Sequence, residues 1–310
     1  MILIVGASGY IGREVIRQID SDFKVVKYKS DVGFCRNNPH CKGVVNIDLK
    51  SKIDVSLLRG VTVILNLAGV AHKKHSSTCD YDSVNRVGVR NLAEAAVFAN
   101  VSTFIHLSTI NVFGLTSSEF SISSDLTLSP ATNYAVSKAR GESELLQVAQ
   151  HTDLSAVIVR SPLVYGFGAP GNFGMLTKLI RKLPIAPFGS AENIRDFMSV
   201  QNLADLLLFC SRSTSAAGHT FLASDGEPVS MKQFTNAIAE GLGTRILQVP
   251  IPVSLITFVG RVTGRSKMIE QLYGSLEVDS SGTKEILGWS PPYTMKQAMA
   301  TLRDLGESNK

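Results

Sequence analysis

Tyr134 and Lys138 stand four residues apart in Tyr-Ala-Val-Ser-Lys. On a helix that spacing puts both side chains on one face, so an ammonium can lie near a phenol. Such a pair suits proton transfer to an oxygen, because a nearby cation favours the phenolate and draws the tyrosine pKa towards neutral pH. The spacing alone is common, and two companions give it weight. One is Ser108-Thr109, hydroxyls closing an apolar strand over 103–107. The other is the opening stretch MILIVGASGYIG, with Gly6, Gly9 and Gly12 evenly spaced. A strand that feeds a glycine turn into a helix builds an anion site. Gly6 permits the tight turn, Gly9 lets the backbone approach a pyrophosphate, and Gly12 lets helix and strand pack closely. The helix start at Tyr10 and Ile11 offers N–H groups and a positive dipole end to phosphates. The spacing is G-x-x-G-x-x-G, so the commoner G-x-G-x-x-G fingerprint is met in part.

These residues need a scaffold that brings strand ends together. Apolar runs at 2–6, 23–28, 43–47, 61–67, 103–107 and 156–160 alternate with helical segments at 10–19 and 82–99 and a helix opening near Ser129-Pro130. That alternation predicts a doubly wound parallel sheet of six or seven strands, with ligands at the strands' carboxyl ends. At the end of the second strand, Lys29 and Ser30 fall where an adenosine ribose would lie. A basic residue there favours a 2′-phosphate, so NADP(H) is favoured; Asp31 keeps NAD(H) open if the strand is shorter. Arg36 adds a further positive charge. Asp48-Leu49 ends the third strand, as an acceptor for the adenine amino group or as a turn cap. Leu67-Ala68-Gly69 ends the fourth, small enough for a cofactor to lie close. His72-Lys73-Lys74-His75 follows, a polar loop with room for a phosphate contact. Asn85 interrupts the apolar face of its helix.

Composition bounds the rest. With 310 residues, 44% hydrophobic and 18% charged, the chain can bury a large core and is not disordered. It has four cysteines and no C-x-x-C pair. Cys35, His40 and Cys41 lack a second ligand pair, so reduced thiols and no metal are expected. The net charge of +5 suits an anionic small ligand. No basic run is interleaved with aromatics, which argues against nucleic acid. The most apolar late stretch, 253–259, is too short to span a bilayer and ends at Arg261, and no secretory signal is recognisable. A cytoplasmic protein with no membrane partner is expected.

The pieces GASGYIG, NLAG, Ser108-Thr109 before VFG, YAVSK and RSPLVYG resemble the extended short-chain dehydrogenase/reductases. The similarity is to their nucleotide-sugar epimerase/dehydratase/reductase branch and covers essentially the whole chain. The resemblance implies an α/β fold: a doubly wound (Rossmann) sheet over 1–162 and a smaller C-terminal α+β substrate lobe over 163–310, discontinuous, with segments returning to the first domain. It implies Thr109, Tyr134 and Lys138 as catalytic residues. It places Asn85, Leu107, Ser161 and Pro162 along the cofactor, and Ser108, Asn111, Asn172, Phe173, Arg195 and Asp279 on the substrate. An arginine suits a diphosphate because its donors are paired. Residues 183–189 are similar to the segment that lines a uracil ring. The implied partners are a UDP-sugar and a second copy of the chain, paired through two helices per subunit.

Three reactions share this scaffold. Dehydratases of the branch carry Asp-Glu after the catalytic threonine, whereas Ile110 and Asn111 follow Thr109 here, and neither exchanges a proton. That leaves a C4 epimerase and a C4 keto-reductase. GNF, LPIAPFG, SDGEPVS, GSLEVD and LGWSPP are most similar to short members from bacterial surface-polysaccharide pathways. With the basic strand end, the preferred reading is a UDP-4-keto-6-deoxy-N-acetylhexosamine 4-reductase. The alternative is a UDP-glucose or UDP-N-acetylglucosamine 4-epimerase. A non-catalytic NADP-binding regulator would typically lack the tyrosine or the lysine, and both are present.

Overall fold

The computed structural model describes residues 1–27, 38–71, 78–183 and 185–307. The first half runs β1 (Ile2–Val5), α1 (Tyr10–Gln18), β2 (Phe23–Lys27), β3 (Cys41–Asn46), β4 (Val63–Asn66), α2 (Thr78–Asp82), α3 (Gly88–Phe98), β5 (Thr103–Thr109), α4 (Asn133–Gln150) and β6 (Ser155–Ser161). Then follow β7 (Leu163–Tyr165), α5 (Gly171–Lys182), β8 (Ile185–Ala186), β9 (Phe197–Ser199), α6 (Val200–Arg212), β10 (Thr220–Leu222), α7 (Met231–Gly241), β11 (Leu247–Gln248), α8 (Val253–Val262), α9 (Ser266–Tyr273), α10 (Ser281–Leu287) and α11 (Met295–Glu307). Seven strands form one sheet in the order β10-β6-β5-β4-β1-β2-β3. Every pairing in it is parallel.

The sheet is covered on both faces, which its strands require. All four residues of β1 and of β4 are buried. Period-two alternation sends them to different cores. Ile4, Leu65, Ile105 and Val157 pack with Val15 of α1 and Leu203 of α6. Leu3, Ile64, Phe104 and Ile158 pack with Leu92 of α3 and Leu145 of α4. This alternation matters for the site, because it decides which residues of β5 face α4.

The remaining segments form a lobe on two short parallel pairs, β7 with β9 and β8 with β11. Its core holds Tyr165, Phe173, Phe197 and Phe234, with Phe197 and Phe234 stacked at 3.8 Å between ring centroids. α6 and β10 follow lobe strands in sequence yet join the main layer. Trp289 is also buried in the main core, and its Nε1 donates to Asp205 at 2.7 Å. Among the described residues no helix is long and apolar enough to cross a membrane.

Two sequence expectations are corrected here. The helix carrying Tyr134 does not open at Ser129-Pro130. It opens at Asn133, because Thr132 supplies the cap by accepting from the Ala135 amide at 3.2 Å. The single helix expected over 82–99 is α3 preceded by a π-helical turn over Ser83–Val87, which turns Asn85 inward. Lys29, Ser30, Asp31, Arg36 and the 72–75 loop lie outside the described residues.

Candidate active site

The glycine turn is pressed against the end of β4. Gly6 has φ +87°, and a Cβ on it would lie 2.7 Å from the Ala68 nitrogen. A Cβ on Gly12 would strike the Gly6 carbonyl oxygen. Neither position tolerates a side chain, so the turn keeps its backbone open at the β1/β4 crevice, where the strand order reverses. The Gly9 amide closes the turn onto the Gly6 carbonyl at 3.0 Å. Gly9 then caps α1 with no side chain in the way, leaving first-turn amides directed at an incoming anion. Tyr10 and Ile11 contribute only backbone here, since the Tyr10 ring packs on the lobe core and Ile11 on the main core.

The loop after β4 is held from below. Asn85 is fully buried, accepts from the Val70 amide at 2.9 Å, and donates to the Val70 carbonyl at 3.1 Å and to Ser137 Oγ at 2.9 Å. Its side chain is therefore occupied, which corrects the expectation of a direct cofactor contact. Asn85 shapes Gly69-Val70 and ties that loop to α4, one turn beyond Tyr134. Two further cofactor candidates follow β3. Asp48 is exposed and accepts from the Lys50 amide at 3.0 Å through one carboxylate oxygen, the turn-cap role of the two expected for it. Leu49 is buried in the core beneath α3. Leu67 is half-buried against the main core, and its amide donates to Val5 at 2.8 Å.

Thr109, Tyr134 and Lys138 occupy the carboxyl end of β5 and the first two turns of α4. Thr109 Oγ1 accepts from the Asn111 amide at 3.2 Å, which leaves its own hydrogen free to donate. Exposed Asn111 thus orients Thr109 through its backbone. Ser161 and Pro162 are buried beside them, Ser161 directly opposite Thr109 in the sheet register. Tyr134 is half-buried against the edge of Tyr81, ring centroids 6.3 Å apart. Burial, with Tyr81 adding to it, pushes the phenol up to about 12. Lys138 is buried, and burial pulls its ammonium down to about 8.

The sequence expectation that Lys138 draws the Tyr134 pKa down is corrected by where the amine points. Lys138 Nζ donates to the Leu107 carbonyl and lies 3.1 Å from His106 Nε2. Leu107 therefore acts through its backbone, its side chain lying in the core. One backbone donor fixes the orientation of the Asn66 amide beside His106. The Ala68 amide donates to Asn66 Oδ1 at 3.2 Å, so Asn66 Nδ2 faces His106 Nδ1 at 3.2 Å. Which ring nitrogen of His106 carries the hydrogen, and so which partner donates between Nε2 and Lys138 Nζ, depends on the tautomer. Burial, and after it the charge of Lys138, hold the His106 imidazole well below its usual pKa, in the neutral form.

The substrate residues divide. Ser108 and Thr109 are neighbours on a strand, so they face opposite sides. Ser108 Oγ donates to Glu142 beneath α4, which corrects its assignment to the substrate. Phe173 is corrected too, since it is buried between Tyr165 and Phe234. Asn172, beside it in the first turn of α5, is exposed. Arg195 Nη1 donates to the carbonyls of Gly274 at 2.7 Å and Thr116 at 3.2 Å, and burial lowers its pKa to about 10. Asp279 is exposed and accepts from the Ser281 amide at 3.0 Å, capping the turn before α10.

The family model for the NAD-dependent epimerase/dehydratase family matches residues 2–223. A Vibrio cholerae protein named UDP-glucose 4-epimerase is 33% identical over 307 residues, covering 96% of this chain and 92% of its own length. The chain belongs to the NAD-dependent epimerase/dehydratase family. An Escherichia coli O157:H7 relative is 22% identical over 312 residues, covering 96% of this chain and 92% of itself. It is named N-acetyl-α-D-glucosaminyl-diphospho-ditrans,octacis-undecaprenol 4-epimerase. The crystal structure of UDP-glucuronic acid 4-epimerase from Bacillus cereus in complex with NAD shares the fold, with TM-score 0.80 at 18% identity, over 99% of this chain and 98% of that one.

Within this epimerase/dehydratase chain, sequence reasoning missed the polar layer under α4. Glu142 continues the Tyr134–Lys138 spacing one turn further. It holds Arg160 through Oε2 at 2.7 Å and Oε1 at 3.2 Å, both side chains buried. Arg160 also lies over the Phe113 ring at 5.0 Å. The available signal was alternation: His106 and Ser108 share the face of β5 that looks at α4, and a polar residue there needs a partner. Glu142→Gln keeps the shape and removes the charge, leaving a buried guanidinium uncompensated. We expect a loss of about 3 kcal/mol in stability by urea unfolding. A loss under about 1 kcal/mol would show that Arg160 finds another partner.

Proposed function

We propose that this chain is an NAD-dependent C4 epimerase of a UDP-linked hexose. The observation that carries the reading is the placement of Thr109, its hydroxyl hydrogen free, at the carboxyl end of β5 with Tyr134 in the first turn of α4, in the sheet whose β1 end carries the glycine cradle. The cradle fits the cofactor: side-chain-free at Gly6 and Gly12, with open helix amides for a diphosphate. Gly6, Gly9, Gly69 and the α1 amides would hold it. When bound, the nicotinamide supplies reversible hydride exchange at the sugar C4. Thr109 donates to the C4 oxygen and orients it. Tyr134 holds or takes the proton at that oxygen. Lys138 sits one turn deeper, where its Nζ on the Leu107 carbonyl and beside His106 ties α4 to the end of β5. Dehydration has no acid or base after Thr109, where Ile110 is buried and Asn111 is exposed. The 163–310 lobe would hold the nucleotide, with Arg195 and Asn172 towards the diphosphate.

NAD is the cofactor we assign, with support from the family description and from the NAD bound to the Bacillus cereus structure. The 4-keto-reductase is the second reading, favoured by Lys29 and Ser30 in the sequence after β2. One assay separates them. Incubation with UDP-glucose or UDP-N-acetylglucosamine should give the C4 epimer with no added reductant and no net change in nicotinamide absorbance. Titration should give tighter binding of NAD than NADP. Stoichiometric NADPH oxidation by a UDP-4-keto sugar, with NADP binding about tenfold tighter and Lys29→Asp reversing that order, would replace the epimerase with the reductase.

A further inference from the structure

The apolar stretch at 253–259 is not absorbed by the active site. It is the start of α8, which packs on α9 through Gly260, where a Cβ would lie 2.6 Å from Ile269. The opposite face carries Leu255, Phe258, Val259 and Val262, at helical spacing i, i+3, i+4 and i+7. All four are exposed, Phe258 at 63% and Val262 at 71%. The hairpin is anchored to the segment after β8: Tyr273 packs on Phe188 at 5.4 Å and its hydroxyl donates to the Pro187 carbonyl at 2.6 Å. The β8/β11 pair adds Ile185 and Leu247, opposite one another and both exposed.

The two chain stretches that build this surface are basic. No Asp or Glu occurs between residues 171 and 191 or between 241 and 269. The first stretch carries Lys178, Arg181 and Lys182, and the second Arg245, Arg261, Arg265 and Lys267, all exposed. None of these seven forms an ion pair among the described residues. Glu270, the acid on α9, is turned to Ser117 at 2.6 Å. An apolar helical face whose own hairpin carries the cations Arg261, Arg265 and Lys267, with no ion pair among the described residues, is the pattern of a helix lying in an anionic bilayer interface. A second copy fits poorly, because a two-fold contact would set cations against cations.

We propose that α8, with its neighbouring β8/β11 edge, docks this protein onto an anionic phospholipid bilayer. The apolar face enters the headgroup boundary and the cations meet lipid phosphates. This revises the expectation of no membrane partner, which tested only for a spanning segment.

The test is flotation of the full chain with vesicles. It should float with phosphatidylglycerol/phosphatidylcholine vesicles, stay behind with pure phosphatidylcholine, and be released by about 0.5 M salt. Phe258→Glu with Val262→Glu should abolish flotation. Arg261→Gln with Arg265→Gln, which leaves the apolar face intact, should weaken it about twenty-five-fold, each charge contributing about fivefold. Both variants should keep wild-type turnover, which verifies folding. Failure of the wild type to float at any phosphatidylglycerol content overturns the proposal. So does a soluble dimer that the Glu variant dissociates while no vesicles are bound, which would make the face a subunit contact.

Discussion

Tyr134→Phe is expected to lower turnover by roughly a hundredfold or more, with cofactor and UDP-sugar affinity within about twofold of wild type. The change removes one oxygen and keeps the ring that packs on Tyr81. Burial holds the phenol protonated at neutral pH, its pKa raised to about 12, so in the resting site it is a donor. Thr109 can orient the sugar oxygen but has no pKa in the useful range. Loss of the Tyr134 hydroxyl therefore removes the proton carrier and leaves the binding surface intact. Steady-state kinetics with isothermal titration of both ligands checks the split. Near-wild-type turnover would take Tyr134 out of the chemistry, and a parallel loss of affinity would make it a binding residue.

Lys138→Met is expected to cost turnover on the order of a hundredfold and to raise stability near neutral pH. Burial lowers the lysine from 10.5 to about 8, so between those values the unfolded chain binds the proton and the folded chain does not. Stability from this group therefore rises with pH across that window, and its destabilising effect is full below pH 8. The shift corresponds to about 3 kcal/mol. Met also strands His106 Nε2 and the Leu107 carbonyl, so the net gain at pH 7 should be about 1–2 kcal/mol. Urea unfolding of both proteins from pH 7 to 10.5 should show the advantage of Met falling as pH rises. A difference independent of pH would place the Lys138 amine in contact with water.

Much of this was legible in the sequence because it is local. Hydrophobic period and length mark β1, β4, β5 and β6, since a parallel strand covered on both faces must be apolar almost throughout. The Gly6-x-x-Gly9-x-x-Gly12 spacing reads as a cradle because only glycine fits a positive φ and a helix pressed on a turn. Tyr134 and Lys138 share a face by helical geometry alone, and Ser230 capping α7 with Gln233 three residues on is equally local. The family follows from these pieces together.

What tertiary structure decided was the partner of each polar side chain. Ser108 reads like Thr109 in sequence, but strand alternation turns one to Glu142 and the other to the site. Asn85 reads as a cofactor ligand, yet the inward π-turn gives it both polar groups of Val70. Lys138 reads as a cation aimed at Tyr134. Residues thirty and more positions away, His106 and Leu107, take its amine, and burial lowers its basicity. Sequence spacing defines what lies on one helix face or one strand face. Which group satisfies a buried donor depends on elements distant in the chain, and burial sets the strength of that demand.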